Sequence, residues 1–182
     1  MSDEMGLEPA ALLLEFGGLF SHLDGPVLDL ACGSGRNGLY LASLGAEVVL
    51  CDRYVQALEH AQRQARDLGL SIATWLVDLE AGGDPLPPKA YGGIIVFRYL
   101  HRPLFGSIRR ALKPGGVLAY ETYTLDQPRF GKPTNPDFLL RPGELREAFT
   151  GFEIIHAFEG ILEQPTRAAA QIVCRRPLTE AT

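Results

Sequence analysis

The chain has 182 residues, is 46% hydrophobic and carries 17 basic against 22 acidic side chains, a net charge of −5. This length suits one globular domain with a sizeable core and is too short for a two-domain dehydrogenase. Because the balance is acidic and no run of like charge stands out, we expect neither a nucleic acid nor a membrane surface as a partner.

The start of the chain and the cysteines bear on location. Residues 1–4 are acidic where a signal peptide is basic, and no apolar run approaches the length of a membrane span. Cys32, Cys51 and Cys174 are scattered without the spacing of metal ligands. We therefore expect a cytoplasmic protein without a bound metal. We also expect residues 1–182 to form one domain, which is a monomer or a homodimer.

The first predicted element is an amphipathic helix over residues 8–20. Apolar side chains there lie near helical spacing, and Pro9 stands at a first-turn position that suits proline. We expect this helix to cover the sheet. The alternative is that it also roofs the ligand cleft.

Residues 26–38 predict a buried strand that runs through a glycine-rich turn directly into a helix. The strand is a short apolar run of the kind that a parallel strand covered on both faces requires. Gly33 and Gly35 allow backbone angles and a close ligand approach that a Cβ would block. The turn is typical of a nucleotide-type cofactor site. Its glycine spacing does not separate a nicotinamide cofactor from S-adenosylmethionine.

Asp52 directly follows the second predicted strand, residues 47–51. In a doubly wound fold, the carboxylate that binds ribose hydroxyls lies at about the same distance along the chain from the glycine turn as Asp52 does here. The alternative is an ordinary solvated acid or a helix N-cap at a strand end. The order of strand, turn and acid favours the ribose role.

The rest of the chain continues the alternation of strands and helices. Helices are predicted over 54–68, 103–112 and 142–149, and strands over 72–77, 93–97, 117–123, 152–158 and 168–175. The last two strands form a hairpin whose turn region contains Gly160 and Pro165. This pattern predicts an α/β fold: a doubly wound, Rossmann-like, seven-stranded and mostly parallel sheet with a C-terminal antiparallel hairpin and helices on both faces. We expect residues 26–100 to bind the cofactor and residues 101–176 to face the substrate.

Residues 124–140 form a connection that is too long to be only a link, and they hold three prolines. Long loops in compact domains are often lids, so we expect this segment to close over the ligand cleft.

Our candidates for catalysis are two residues, Arg98 and His101, in the loop that follows the strand over 93–97. Ligands in such sheets bind beyond the carboxyl ends of strands. Arg98 can attract an oxyanion. His101 can take a proton if the nucleophile is a hydroxyl or an amine. The alternative for His101 is that it caps the next helix or binds a carbonyl.

Four more basic residues could converge on the same cleft from the strand end and the lid: Arg102, Arg129, Lys132 and Arg141. The alternative is that most of them are solvated or pair with nearby carboxylates, namely Asp126, Asp137 and Glu144. Our prediction of an anion-binding group therefore rests on Arg98 alone.

In the order of its motifs, the chain resembles the class I S-adenosylmethionine-dependent methyltransferases over roughly residues 26–176. Residues 27–35 resemble the first motif of that family, and Asp52 resembles its ribose acid. Residues 77–79 are similar to the motif that flanks the adenine, and residues 112–116 to the turn before strand 5.

Within that family, the chain is most similar to the tellurite-resistance methyltransferase branch, through residues 35–42, 77–79 and 142–146. Two features depart from the pattern. Ala31 replaces the first glycine of the turn, and the end of strand 4 reads differently from that branch, as does the loop over 124–140. The resemblance therefore leaves the identity of the acceptor open.

The resemblance implies S-adenosylmethionine as the cofactor and a small-molecule substrate, one that is anionic or contains a chalcogen. It implies that the backbone of Gly33, Ser34 and Gly35 packs against the methionine part of the cofactor. Asp29 is implied to meet the ammonium group directly or through water.

The same resemblance implies the contacts of the adenosine part. Asp52 takes the ribose hydroxyls, Asp78 takes the adenine amino group, and Leu79 covers one face of the adenine ring. Asn37 and Arg53 complete the implied cofactor-binding set.

Other functions stay open at this point. An NAD(P)-dependent oxidoreductase shares the glycine pattern, but the chain has neither a second domain nor a Tyr-x-x-x-Lys pair. A non-catalytic module that binds the cofactor and a partner protein is the second alternative. A protein or RNA substrate is the third, since docking surfaces leave little trace in a sequence.

Overall fold

A computed structural model describes residues 8–179, so the acidic start of the chain, residues 1–4, lies outside the described residues. The strands are β1 (Val27–Leu30), β2 (Val48–Asp52), β3 (Ala73–Leu76), β4 (Tyr91–Phe97), β5 (Leu112–Tyr123), β6 (Glu153–Leu162) and β7 (Arg167–Arg175). The helices are α1 (Ala11–Phe16), α2 (Arg36–Ser43), α3 (Val55–Asp67), α4 (Leu104–Ala111) and α5 (Glu144–Ala148). Short 3-10 turns occupy Gly17–Phe20, Gln127–Arg129 and Pro136–Phe138.

The seven strands form one sheet in the order β3-β2-β1-β4-β5-β7-β6. The first five strands pair in parallel, and β7 pairs antiparallel with both β5 and β6. The predicted fold class is therefore confirmed, including the antiparallel hairpin at the C-terminal side.

The strands at the centre of the sheet are buried on both faces, as their continuous apolar sequences predict. In β4, Ile94 and Val96 pack into one core together with α4 and α5. Ile95 points the other way, into a second core with α1, α2 and α3. This alternation follows from the two-residue period of a strand. It places helices on both faces and leaves the carboxyl ends of the parallel strands free for a ligand.

Three elements differ from the prediction by more than two residues. The helix over 8–20 divides into α1 and a 3-10 turn, because Gly17 and Gly18 favour helix poorly. The turn before strand 5 lies within β5 as a bulge: Leu112 pairs with Tyr91, and Val117 already pairs with Gly93.

The third difference concerns the C-terminal hairpin. Gly160 lies in β6, not in the turn, and pairs with Ala169. Pairing continues past this glycine because Ile161 and Leu162 are strand-forming residues that extend the ladder to Arg167. Within residues 8–179, every helix is too short or too polar to cross a membrane.

Candidate active site

Two glycines of the turn after β1, Gly33 and Gly35, have different roles. Gly33 has a φ of 55°, and a Cβ added there would meet no protein atom within 4 Å. The turn therefore borders open space at Gly33. A Cβ on Gly35 would lie 2.8 Å from Leu50 and 2.9 Å from Ala61, so Gly35 is needed for the packing of α2 on β2 and α3.

Two residues other than glycine adopt the left-handed conformation at the carboxyl ends of adjacent strands. Ala31 follows β1 and Arg98 follows β4, and both have a φ of 56°. This conformation costs about 1–2 kcal/mol for residues with a Cβ, and such strain concentrates at functional sites. The Ala31 departure from the family pattern therefore keeps the backbone shape that a glycine would adopt.

Asp52 fastens the glycine turn to the end of β2. Its Oδ2 accepts a hydrogen bond from the Gly33 amide over 2.9 Å, and its Oδ1 accepts one from the Tyr54 amide over 3.0 Å. The carboxylate is buried. Each oxygen can accept a second hydrogen bond, so these contacts leave capacity for ribose hydroxyls. The N-cap of α3 is Tyr54, so Asp52 does not take the alternative capping role.

Four predicted cofactor residues meet in one cavity of about 180 Å³, which we call the first cavity. These residues are Asp52, Arg53, Asp78 and Leu79. Its remaining lining residues are Ala31, Tyr54, Val77, Glu80 and Tyr99. The Arg53 guanidinium lies 3.7 Å from the Asp78 carboxylate and 3.8 Å from the Glu80 carboxylate, in two exposed and therefore weak ion pairs.

Asp29 lies deeper, beneath the glycine turn. Its Oδ2 accepts a hydrogen bond from the Gly38 amide over 2.9 Å. Burial raises the pKa of Asp29 to about 7, although the Gly38 bond opposes the rise; the nearby negative charge of Asp52 adds to it. The carboxyl group is therefore poised to become negative when a cation approaches.

Asn37 binds the segment before α1 through its side chain, and its role toward the cofactor stays a prediction. Its Oδ1 accepts a hydrogen bond from the Ala10 amide over 2.8 Å, and Asn37 is absent from the walls of both cavities described here. The neighbouring Arg36 donates to the Glu8 carbonyl over 2.6 Å. These bonds hold the segment before α1 beside the start of α2; residues 8–20 line neither cavity, so a roof over the cleft stays a prediction.

A larger cavity of about 520 Å³, the second cavity, adjoins the first and shares Glu80 and Tyr99 with it. Its other lining residues are Arg98, Leu100, Tyr123, Lys132, Pro133 and Phe138. Three of them belong to residues 124–140, which therefore form a wall of this cavity. Whether that wall moves as a lid stays a prediction.

The predicted basic cluster divides into two groups. Arg98 and Lys132 line the second cavity, and within residues 8–179 neither forms an ion pair. Arg129 lies 3.9 Å from Asp126, and Arg141 lies 3.4 Å from Glu144, as the alternative of paired surface charge predicts.

Arg102 anchors the segment 124–140. Its Nε donates to Glu144 Oε1 over 2.6 Å and its Nη2 donates to Glu144 Oε2 over 2.9 Å. It also donates to the backbone carbonyls of Asp137 and Leu139. Because its guanidinium donates to these acceptors, Arg102 holds this part of the wall of the second cavity in place.

His101 lines neither of these two cavities, and its catalytic role stays a prediction. Its backbone carbonyl accepts a hydrogen bond from Leu104 at the start of α4. Sequence reasoning missed Tyr99 and Tyr123, although both stand at carboxyl ends of strands and that position was the available signal. Phe138 gave no such signal.

Comparisons with known proteins agree with this geometry. A family model described as a methyltransferase domain matches residues 27–116. The protein named "Probable S-adenosyl-L-methionine-dependent methyltransferase TehB" of Haemophilus influenzae (strain Rd) is 29% identical over 143 residues, 75% of this chain and 49% of that protein. "Uncharacterized methyltransferase YodH" of Bacillus subtilis is 28% identical over 140 residues, 73% of this chain and 54% of that protein. The chain spans about half the length of these relatives.

A solved structure shares the fold. The crystal structure of TehB from Haemophilus influenzae matches with a TM-score of 0.75 at 24% identity, covering 90% of this chain and 61% of that one.

Within residues 8–179, no group of three or more His, Cys, Asp or Glu side chains is arranged to hold a metal ion.

Proposed function

Because the chain belongs to the class I S-adenosylmethionine-dependent methyltransferases, a family whose cofactor is S-adenosylmethionine, we propose that it transfers a methyl group to a small-molecule acceptor that is anionic or contains a chalcogen. The observation that carries this proposal is the pair of adjoining cavities. One collects the predicted adenosine contacts, and the other holds two unpaired cations next to it.

The residues of the first cavity and the glycine turn fit S-adenosylmethionine. Gly33 borders open space where a Cβ would intrude on a ligand. Asp29 supplies a carboxyl group suited to an ammonium, and Asp52 retains acceptor capacity for ribose hydroxyls. Asp78 and Leu79 lie in the same wall and supply an acceptor for an amino group and an apolar face for a ring.

The chemistry asks little of the protein beyond alignment. When bound, S-adenosylmethionine supplies a methyl group on a positively charged sulfur, which is a good leaving group. The chain's part is to hold the acceptor in line with that methyl group and to keep water out. Arg98 and Lys132 would orient an anionic acceptor in the second cavity.

Calorimetry tests the cofactor half of the proposal. The purified chain should bind S-adenosylmethionine and its demethylated product, S-adenosylhomocysteine, and should not bind NAD. Asp52→Ala should weaken S-adenosylhomocysteine about tenfold or more, because hydrogen bonds to a charged group contribute roughly 1.5–3 kcal/mol. Asp67→Ala, an exposed acid at the end of α3, is the matched control. Saturation by NAD instead would overturn the assignment.

Methyl transfer from labelled S-adenosylmethionine tests the acceptor half. Arg98→Met removes the charge and keeps much of the side-chain length. Turnover of an anionic acceptor should fall between about tenfold and a hundredfold, with cofactor affinity unchanged. Arg129→Met is the control, since Arg129 is exposed, lies near Asp126 and is absent from the second cavity. Methylation restricted to neutral or cationic acceptors would reject the anionic substrate.

A further inference from the structure

The second cavity is larger than a bare oxyanion requires. Its volume of about 520 Å³ falls in the range of pockets that enclose whole organic ligands. Three of its lining residues are aromatic, namely Tyr99, Tyr123 and Phe138. Leu100 and Pro133 add apolar surface. These side chains favour a ligand with an apolar body, and the aromatic ones favour a ring.

The aromatic residues come from three different parts of the chain. Tyr99 follows β4, Tyr123 ends β5, and Phe138 projects from the segment that Arg102 anchors. Phe138 is 50% exposed, which is unusual for a phenylalanine in a folded domain and leaves its ring free to contact a ligand. Aromatic rings on separate elements can hold a planar ligand by stacking and edge contacts.

The charges of the cavity favour one anionic group on that ligand. Arg98 and Lys132 are both positive and unpaired within the described residues, whereas Glu80 has partners. The Tyr99 hydroxyl donates to Glu80 Oε1 over 3.4 Å, and Arg53 lies 3.8 Å from Glu80 Oε2. The unpaired charge that faces a ligand is therefore positive.

The described residues that line the second cavity offer one side-chain carboxylate, Glu80, as a proton acceptor. Among the described residues that line it there is no histidine, and the Glu80 carboxylate is shared between Arg53 and Tyr99. Burial, and then the charge of Glu80, raise the pKa of the Tyr99 hydroxyl well above its ordinary value, so Tyr99 stays protonated as a donor. A nucleophile that is already an anion needs no proton acceptor and therefore does not depend on Glu80.

From the aromatic wall and the two cations without an ion-pair partner among the described residues, we infer that the acceptor is an aromatic small molecule whose nucleophilic atom is already an anion at neutral pH, such as an aromatic thiolate. The inference rests on the proposed function and narrows its acceptor class. A lone pair of the acceptor's anionic atom forms the bond to the methyl carbon while the carbon–sulfur bond of the cofactor breaks. The electron pair of that bond stays on the sulfur. The cofactor sulfur thereby loses its positive charge, the acceptor atom loses its negative charge, and no proton is transferred.

Four probes distinguish the parts of this inference. 2-nitro-5-thiobenzoate and 4-nitrothiophenolate are ionised aromatic thiolates whose colour fades on S-methylation. Thioacetate is an ionised sulfur nucleophile without a ring, and tellurite is a bare oxyanion. We expect kcat/KM to be about tenfold or more higher for at least one aromatic thiolate than for thioacetate, the factor that burial of a ring provides.

Variants assign that preference to the cavity. Phe138→Ala should reduce the ratio of kcat/KM for the aromatic thiolate over thioacetate about fivefold or more. Leu125→Ala is the control, because Leu125 is a similarly exposed apolar residue of the same segment that does not line the second cavity. Equal or better methylation of thioacetate or tellurite, or a ratio unaffected by Phe138→Ala, would overturn the inference and leave the proposed function in place. If S-adenosylhomocysteine does not bind, or if no probe is methylated, the proposed function fails and the inference falls with it.

Discussion

Arg167 donates from Nη2 to Glu121 Oε1 over 2.9 Å, and the two side chains are only 10% and 3% exposed. Gln171 donates to the other oxygen of Glu121 over 2.6 Å. This buried ion pair joins β7 to β5 at the carboxyl end of β5, two residues before Tyr123 of the second cavity. The net contribution of such a buried ion pair to stability is smaller than the stability lost when one partner is removed. The reason is that the remaining charge is then buried without a partner.

Arg167→Met should lower the free energy of unfolding by about 3–5 kcal/mol, the typical cost of leaving one charge of a buried pair alone. Adding Glu121→Gln to that variant should recover part of the loss, since the unpaired charge is then gone. Urea unfolding measures both effects. Arg146→Met, at an exposed position of α5, is the control and should change stability by less than about 0.5 kcal/mol. A loss of under 1 kcal/mol for Arg167→Met would show that the pair is not buried as described.

The sequence was sufficient for the parts of this protein that depend on local pattern. Apolar runs such as Ile94 to Val96 fix a strand and both of its faces, because the strand period of two assigns alternate side chains to the two cores. The glycine turn and Asp52 follow one another at a distance that the doubly wound fold prescribes, so the first cavity could be predicted.

The second cavity depends on pairings between distant residues, and no local pattern encodes them. Arg102 meets Glu144 across 42 positions of the chain, and this pairing removes Arg102 from the set of cations available to a ligand. Phe138 lies in the cavity wall between two carbonyls, those of Asp137 and Leu139, that accept hydrogen bonds from Arg102. A residue's place after a strand does not determine which cavity it lines, and His101, which follows β4, lines neither of the two.

Gly38 tests the contact between α2 and the sheet. A Cβ there would lie 2.9 Å from Asp29 Oδ2 and 3.1 Å from Val48, and would also clash with Leu50. Gly38→Ala should therefore destabilise the fold by roughly 1–3 kcal/mol, the usual cost of overpacking, despite the better helix propensity of alanine. Gly106→Ala in α4 is the matched control, because its Cβ would meet only the flexible end of Arg110. That control should be neutral or stabilising by up to about 1 kcal/mol. Equal effects of the two substitutions in urea unfolding would contradict the close packing.

Glu144 should make the anchoring of residues 124–140 sensitive to acid. Burial would raise the pKa of Glu144, but hydrogen bonds from Arg102 and Arg141 outweigh it and lower the pKa to about 2, from an ordinary 4.5. Because the folded value is the lower one, the ionised carboxylate stabilises the folded state above pH 4.5, and this contribution is lost as the pH falls toward 2.

The measurement is the stability difference between the parent chain and Glu144→Gln, taken by urea unfolding at several pH values. The parent should exceed the variant at pH 7, and the difference should shrink between pH 4.5 and pH 2. Glu147→Gln, an exposed acid of the same helix, should show no such trend. A difference that stays constant across this window would mean that the carboxylate of Glu144 does not titrate against Arg102.

Asp29 should couple cofactor affinity to pH, since its pKa in the free protein is raised to about 7. Below that pH the buried carboxyl is protonated, and an ammonium group bound beside it would favour the ionised form. Affinity for S-adenosylhomocysteine should therefore rise between pH 5.5 and pH 7.5, with release of a proton on binding that calorimetry in buffers of different ionisation enthalpy can count. Asp29→Asn should bind more weakly at pH 7.5 and lose this dependence. The same variant should gain stability relative to the parent as the pH rises from 4 to 7, because over that window the carboxyl ionises in the unfolded chain while burial keeps it protonated in the folded parent. Proton-independent binding by the parent, together with unchanged affinity in Asp29→Asn, would place the ammonium elsewhere.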